Sequence, residues 1–163
     1  MNTKQIWQAL AGNPVTSEFF EGVYASDTLK EIQKRPRLVV SNTDPSGRSG
    51  THWVAFFFEG DNVDFFDSLG QLMSEYSPHF VNFSKQFASS FNYAKIRTQP
   101  INSDLCGYYC IYFAYHRCLG KSFESVIRAL QKETGASVKD FVGRNFCFCV
   151  DSDCKYLQKS CYQ

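Results

Sequence analysis

The chain has 163 residues, of which 44% are hydrophobic and 20% charged, which is the composition of a folded domain and excludes a disordered polyelectrolyte. We expect one domain over residues 1–163. Its net charge of +1 excludes a polycation that mainly coats nucleic acid. No apolar run reaches the about 18 residues of a membrane span, and the start MNTKQIW lacks the apolar core of a secretion signal. The sequence therefore predicts neither a membrane-spanning nor a secreted protein.

The seven cysteines are expected to be reduced thiols, because no secretion signal is visible and an odd count leaves at least one unpaired. This predicts a location inside a cell or an enclosed particle. Four of them lie in the tail, residues 147–163, with a spacing that matches no standard zinc knuckle: Cys147, Cys149, Cys154 and Cys161. We therefore predict free thiols there, with no metal site and no part in chemistry.

The first part of the chain contains one predicted helix and one predicted strand. A helix is expected over Thr3–Gly12, capped by Thr3 and closed by the glycine. Residues 19–24 are predicted to be an anchored irregular segment. The basic run 30–37 is interpreted as a solvated helix end before a proline, in preference to a nucleic-acid site. A strand over Arg37–Asn42 leads into the turn-rich loop 43–50, which lacks the Gly-Lys-Ser/Thr ending of a phosphate-binding loop.

Two strands follow, over His52–Phe58 and Val63–Ser68, joined by a turn at residues 59–62. The first is apolar at nearly every position, which is typical of a central strand covered on both faces.

Most of the elements predicted in the second half of the chain are helices. Ser77 is expected to cap a helix with a core-facing stripe made of Phe80, Phe83, Phe87 and Phe91. A strand is predicted over 93–97. Residues 105–119 are apolar nearly all round, which indicates a helix buried in the middle of the domain. Further helices are predicted over Ser122–Lys132 and around 137–142.

The hairpin predicts one histidine–carboxylate pair. A turn of even length places Phe58 opposite Val63. In that register Asp67 lies on the same face of the sheet as His52 and diagonal to it, about 7–8 Å away at the backbone. Asp64 faces the other side. A structural His–Asp hydrogen bond is at least as common as a catalytic one, so the pair does not by itself indicate an enzyme.

Cys106 supplies a possible nucleophile. The polar run 102–104 is expected to cap the buried helix and to place Cys106 in its first turn. Unpaired N–H groups and the helix dipole there favour a thiolate. Gly107 leaves room for a substrate. The alternative is a small buried hydrophobe, the usual role of cysteine, which we assign to Cys110 and Cys118.

One glutamine and two further histidines complete the candidates. Gln99 precedes Pro100 on the segment leading to the buried helix, where its amide could donate to an oxyanion. His116 lies ten helical residues, about 15 Å, from Cys106 and is no partner for it. His79 is predicted to be a surface residue at a helix start.

Together these residues resemble the adenain/Ulp superfamily of cysteine proteases, which includes the adenovirus maturation protease and the SUMO and ubiquitin-like-protein proteases. The resemblance covers roughly residues 20–119 and is carried by three motifs in order: Gly50–Phe56, Phe65–Gly70 and Gln99–Gly107. It is closer to the adenovirus type, as judged by the segment Phe20–Tyr24, the approach from Asn42 to His52, and the Gln-to-Cys spacing.

The resemblance implies an α+β fold, in which a central buried helix bearing the cysteine packs on an antiparallel sheet bearing the histidine and the aspartate. It implies a cysteine endopeptidase with Cys106 as nucleophile and His52 as general base and then acid. Asp67 would orient the imidazole, and Gln99 would donate to the oxyanion. Trp53 would wall the substrate cleft, although a plain core tryptophan is equally open.

The resemblance also implies substrates and a setting. The scissile bond would lie near small residues, typically glycine, in capsid or polyprotein precursors of a virus or virus-like transposon. The expected location is the host nucleus and virion, or the cytoplasm. Three alternatives stay open: a protease for SUMO- or ubiquitin-like tails, an acetyltransferase that uses the same triad, and an inactive binding module.

Two departures from the adenovirus type bear on activation. That enzyme has Glu where this chain has Asp67. It also takes an activating capsid-derived peptide through a cysteine about a dozen residues before the glutamine, whereas residues 87–93 here hold no cysteine. We therefore expect no cofactor for the chemistry and no disulfide-linked activator. A DNA or peptide activator stays open, with nucleic acid disfavoured by the near-neutral charge.

Overall fold

A computed structural model describes residues 1–31 and 36–148 of the chain. Within those ranges the helices are α1 Thr3–Gly12, α2 Met73–Tyr76, α3 Pro78–Phe87, α4 Cys106–Cys118, α5 Phe123–Leu130 and α6 Gly135–Asn145. The strands are β1 Phe20–Tyr24, β2 Arg37–Asn42, β3 Trp53–Glu59, β4 Asn62–Phe66 and β5 Ser90–Tyr93. No helix in this part of the chain is long and apolar enough to cross a membrane.

The five strands form one sheet in the order β1-β2-β3-β4-β5. The centre, β2-β3-β4, is antiparallel, whereas β1 and β5 join the edges in parallel. Phe58 lies opposite Val63 in the β3–β4 hairpin, as the sequence predicts. The expected antiparallel sheet is therefore its centre, extended by a parallel strand on each side.

Strand β3 is buried on both faces because alternate side chains enter two different cores. Ala55 and Phe57 face α4, where Phe66 of β4 stacks on Phe113 with ring centroids 4.6 Å apart. Val54, Phe56 and Phe58 face the opposite way and pack in the core of the α3 phenylalanines. The continuous apolar run of β3 thus reflects a central strand, and the predicted α+β arrangement of a buried helix on a sheet is confirmed.

Two edge strands differ from the prediction. The segment predicted to be irregular is β1, which pairs with β2 through a register shift at Gly22 that interrupts any alternating pattern. The strand predicted over 93–97 is instead β5, which ends at Tyr93. Phe91 accordingly lies in β5, because α3 ends at Phe87. Both strands form by parallel pairing with a strand that is distant in the sequence, and such pairing leaves no local pattern from which it could be predicted.

Helix ends agree more closely with the sequence. Ser77 caps α3 and Ser122 caps α5, as predicted. The cap of α1 is Asn2 instead of Thr3, and its side chain accepts from the Gln5 amide at 2.9 Å. Helix α6 begins at Gly135, two residues before the prediction.

Two predicted features lie outside the described residues. They are the helix end in the basic run, whose residues 32–35 are not described, and the tail from residue 149 with Cys149, Cys154 and Cys161.

A buried ion pair ties α4 to the sheet. The Arg117 Nε atom lies 2.6 Å from Asp64 Oδ2, and its guanidinium also reaches Glu59 Oε2 at 3.0 Å. Asp64 has no exposed surface and accepts a further bond from Asn92 Nδ2 at 2.8 Å. The guanidinium carbon lies 4.5 Å from the centroid of the Phe57 ring. The side of β4 away from His52 thus has a structural role.

Replacing Arg117 with methionine should lower the free energy of unfolding by about 3–5 kcal/mol, because it leaves the Asp64 carboxylate buried and unpaired. Urea denaturation measures the change. The matched control is Arg144→Met, since Arg144 is exposed and pairs with Asp140 at 3.5 Å, a contact worth about 1 kcal/mol or less. Equal effects of the two substitutions would contradict a structural role for the buried pair.

Candidate active site

The central hairpin brings His52 and Asp67 together. His52 directly precedes β3 and Asp67 directly follows β4, so both lie at the same end of the sheet. The His52 Nε2 atom lies 2.6 Å from Asp67 Oδ1, in the pairing that the register predicts. Asp64, as expected, faces the other way, toward Arg117 of α4. Local hairpin geometry is therefore sufficient to form this pair.

The Asp67 carboxylate is held by four donors. Oδ1 accepts from His52 and from the Leu69 amide at 3.0 Å. Oδ2 accepts from the Gln71 amide at 2.7 Å and from the Tyr76 hydroxyl at 2.9 Å. Burial favours the protonated acid, but the bond from His52 and the backbone donors outweigh it and lower the pKa of Asp67. The group is a carboxylate that can fix an imidazole.

Tyr76 is a site residue that the sequence analysis missed. Besides its bond to Asp67, its ring stacks on that of His52, with centroids 5.7 Å apart and planes 27° apart. It lies in α2, a helix of four residues, which is too short to show an amphipathic pattern. Only the folded turn after β4 brings it over the histidine.

Cys106 is the first residue of α4, in the first turn as predicted, but the predicted cap is wrong. The N-cap is Leu105, which makes no side-chain capping bond. The polar run 102–104 instead lines the cleft, and Asn102 has a left-handed φ of 58° that turns the chain there. The run therefore shapes the site and leaves the helix start uncapped by a side chain.

The His52 imidazole and the Cys106 thiol shift each other's pKa. Because Nε2 is engaged by Asp67, the other ring nitrogen, Nδ1, is the one available to the thiol. Burial disfavours the imidazolium, but the bonds to Asp67 and Cys106 and the charges of both raise the pKa of His52 to about 9. Burial likewise disfavours the thiolate, but His52 and the Trp53 and Gly107 backbone lower the pKa of Cys106. Both shifts favour the thiolate of Cys106 and the imidazolium of His52.

Two other cysteines and the two other histidines of the described residues differ from this pair. Burial raises the pKa of Cys110, and it raises that of Cys118 to about 12. Burial lowers the pKa of His116 to about 4, and His79 is exposed at the start of α3. None of these four lines the cleft beside Cys106. Their interpretation as core or surface residues agrees with these positions.

These pKa directions predict the pH dependence of Cys106. Its alkylation by iodoacetamide should rise with pH through a midpoint below the about 8.5 of an ordinary thiol, because the thiolate forms early. Any turnover that needs the His52 imidazolium should fall as pH rises through about 9, where that proton is lost. Peptide mass spectrometry at a series of pH values gives the rate for each thiol. Cys118 is the internal control, and equal rates for the two at pH 6 would contradict the ion pair.

Gln99 and Cys106 line the same cleft, of about 640 Å³. The Gln99 side chain is largely buried, with its Oε1 accepting from Ser68 Oγ at 2.7 Å and its Nε2 donating to the Ser103 carbonyl at 2.9 Å. The structure thus places Gln99 and Cys106 in the same cleft. The sequence analysis gave Ser68 no role of its own and placed Ser103 only in the expected capping run 102–104.

Trp53 satisfies both of its interpretations. It lines the cleft, and its body also packs in the core beside α4. Its Nε1 donates to the Met1 carbonyl at 3.0 Å, which brings the first residue to the cleft wall.

Other sites in the described chain carry less chemistry. A groove of about 530 Å³ between β5 and α5 is lined by no cysteine or histidine. No group of three or more His, Cys, Asp or Glu residues is arranged to hold a metal ion anywhere in residues 1–31 and 36–148.

Comparison with known proteins gives a structural likeness without a sequence match. No family model and no curated protein matches the chain. Its structure is similar to the crystal structure of the ASFV pS273R protease, with a TM-score of 0.54 and 22% identity, over 74% of this chain. The chain has the adenain/Ulp-type protease fold. It spans 48% of that protein's length, so the likeness concerns the fold.

Proposed function

We propose that this chain is a cysteine endopeptidase. The observation that carries the proposal is that the hydrogen-bonded Asp67–His52 pair shares an open cleft with Cys106, whose pKa His52 lowers at the start of a helix. A purely structural His–Asp pair would not be expected to lie beside a cysteine whose pKa it lowers. The likeness in fold to a protease supports a proteolytic use of these groups.

In the proposed reaction, the Cys106 thiolate attacks the carbonyl carbon of the scissile bond. A C–S bond forms, and the π electrons of the carbonyl move to its oxygen. The oxyanion accepts from Gln99 Nε2 and the Cys106 backbone N–H. As it collapses, the C–N bond breaks and His52 gives its proton to the leaving amine.

The resulting thioester is then hydrolysed. His52, now neutral, takes a proton from water, whose oxygen attacks the thioester carbonyl and releases the acid and the thiolate. Asp67 holds the ring in place in both steps. Nucleophile, base and oxyanion donor are all side chains of this chain, so the proposed chemistry calls for no cofactor.

For substrates we propose polypeptides with glycine or another small residue at the scissile bond, such as capsid or polyprotein precursors of a virus or virus-like element. The support is the resemblance of the three motifs around His52, Asp67 and Cys106. The corresponding setting is the host nucleus and virion, or the cytoplasm. The printed name of the structural neighbour is that of a protease, which fits a polypeptide substrate.

The test is a peptide library incubated with the purified protein, with and without DNA, and read by mass spectrometry. We expect cleavage next to glycine, and none after alkylation by iodoacetamide at pH 6, where Cys106 reacts first. A SUMO-like fusion in a parallel reaction tests the tail-protease alternative. Acetyl-CoA labelling of Cys106 without any peptide cleavage would overturn the proposal in favour of an acetyltransferase.

The Gln99 role predicts a loss confined to the chemical step. Gln99→Ala should lower kcat by roughly 10²–10³ with little change in KM, because the donor acts on charge that develops in the transition state. Gln99→Glu should be at least as harmful, since a carboxylate repels the oxyanion. Steady-state kinetics and melting temperatures check this. An unchanged kcat, or a loss traced to unfolding, would leave Gln99 a structural loop residue.

A further inference from the structure

Ser68 joins the acid to the oxyanion donor. It is the residue after Asp67, has no exposed surface, and donates through Oγ to Gln99 Oε1 at 2.7 Å. The two partners are 31 positions apart in the chain, so the bond is a tertiary one. Nothing in the proposed reaction so far uses this hydroxyl.

The chemistry of the partners fixes which way the Gln99 amide points. The other end of the amide lies 2.9 Å from the Ser103 carbonyl, which can only accept. That end must therefore be the NH₂ group, and the end facing Ser68 must be the oxygen. One Nε2 proton goes to Ser103, which leaves the second for an oxygen in the cleft.

We propose that Ser68 is a positioning residue that holds the Gln99 carboxamide with its NH₂ group toward the oxyanion. This inference rests on the proposed protease function. Adjacent residues then order the two halves of the site, since Asp67 fixes the imidazole and Ser68 fixes the oxyanion donor. Ser68 acts through Gln99 and touches no reacting atom.

Backbone hydrogen bonds at Ser68 hold the Gln99 loop in place without the serine hydroxyl, so the positioning role can be tested apart from a structural one. The Ser68 carbonyl accepts from the Thr98 amide at 2.9 Å and from the Gln99 amide at 3.1 Å. Both bonds are independent of the hydroxyl, so they keep the two segments paired when the side chain is shortened. Removing the hydroxyl should therefore release the Gln99 side chain while its loop stays in place.

The activity test is a double-mutant cycle. Ser68→Ala should lower kcat about tenfold with KM unchanged, less than the roughly 10²–10³ that loss of the donor itself costs. In a Gln99→Ala background the same change should have no further effect on kcat, because Ser68 then has nothing to position. Ser84→Ala is the matched control: Ser84 is also fully buried, in α3, and its hydroxyl has no partner among the described residues.

A second measurement does not need turnover, so it separates this inference from the proposed function. In ¹⁵N-labelled protein, the two Gln99 Nε2 protons should give separate, slowly exchanging NMR signals. Ser68→Ala should speed their exchange with solvent, and Ser84→Ala should not. Unchanged Gln99 signals in Ser68→Ala, or a kcat loss that persists in the Gln99→Ala background, would overturn the positioning role. Absence of any peptide cleavage by the unmodified protein would instead overturn the proposed function alone.

Discussion

Replacing Cys106 or His52 with alanine should lower kcat by a factor on the order of 10⁶, the magnitude for the nucleophile or the base of a serine protease triad. Without Cys106 no thioester forms. Without His52 the thiolate loses the neighbouring group that lowers its pKa, and the leaving amine has no proton donor. Hydrolysis of the best peptide from the library, followed at pH 7, measures both losses.

The two residues should act as one unit. The double variant should be no slower than either single one, because each loss already removes the whole acyl-enzyme route. Iodoacetamide separates the two variants: His52→Ala keeps a thiol that reacts with an ordinary pH midpoint, whereas Cys106→Ala has none at this position. His79→Ala and Cys118→Ala are the matched controls, since both residues lie away from the cleft. Full activity in His52→Ala would exclude the proposed general base.

The sequence was sufficient for the parts of the site that local geometry determines. An even turn sets the register of the β3–β4 hairpin, and that register alone brings His52 to Asp67. The apolar run after residue 105 likewise predicts α4 and places Cys106 at its start. In both cases the deciding interactions join residues that are close in the chain. The side-chain repeat of two residues in a strand, or of 3.6 residues in a helix, is therefore enough to predict them.

The parts that sequence reasoning missed depend on contacts between distant segments. Strand β1 is determined by parallel pairing with β2, and β5 by parallel pairing with β4. Tyr76 reaches His52 only after the turn beyond Asp67 has folded, and Ser68 meets Gln99 across 31 positions. The Asp-Ser pair was visible within the motif Phe65–Gly70, but the serine has a role only once its partner is known.

Replacing Asp67 with asparagine should lower kcat by about 10⁴, a large loss but a smaller one than that of His52→Ala, because the acid orients the imidazole and transfers no proton to substrate. The geometry explains why so similar a side chain fails. Each carboxylate oxygen accepts from a backbone N–H, that of Leu69 or that of Gln71. Whichever way the asparagine turns, its NH₂ group faces one of these donors and loses a hydrogen bond.

The same substitution should also move the pH profile. With the negative charge gone, the pKa of His52 should fall from about 9 toward the ordinary value of about 6.5. The imidazolium, and the turnover that depends on it, would then be lost at a lower pH. Activity measured from pH 5 to 10 should therefore show its alkaline limb shifted to lower pH in Asp67→Asn. The loss of kcat thus tests whether Asp67 orients the His52 ring, and the shift of the pH profile tests whether its charge raises the pKa of His52.

Asp64→Asn provides the matched control, since Asp64 lies in β4 just before Asp67 and faces the other way. Asp64 pairs with Arg117 and has no contact with the cleft. Its replacement should lower the melting temperature, because a buried charge pair is broken, while kcat and the pH profile of the folded protein stay unchanged. If Asp64→Asn damaged kcat as much as Asp67→Asn, the assignment of Asp67 as the residue that orients His52 would be wrong.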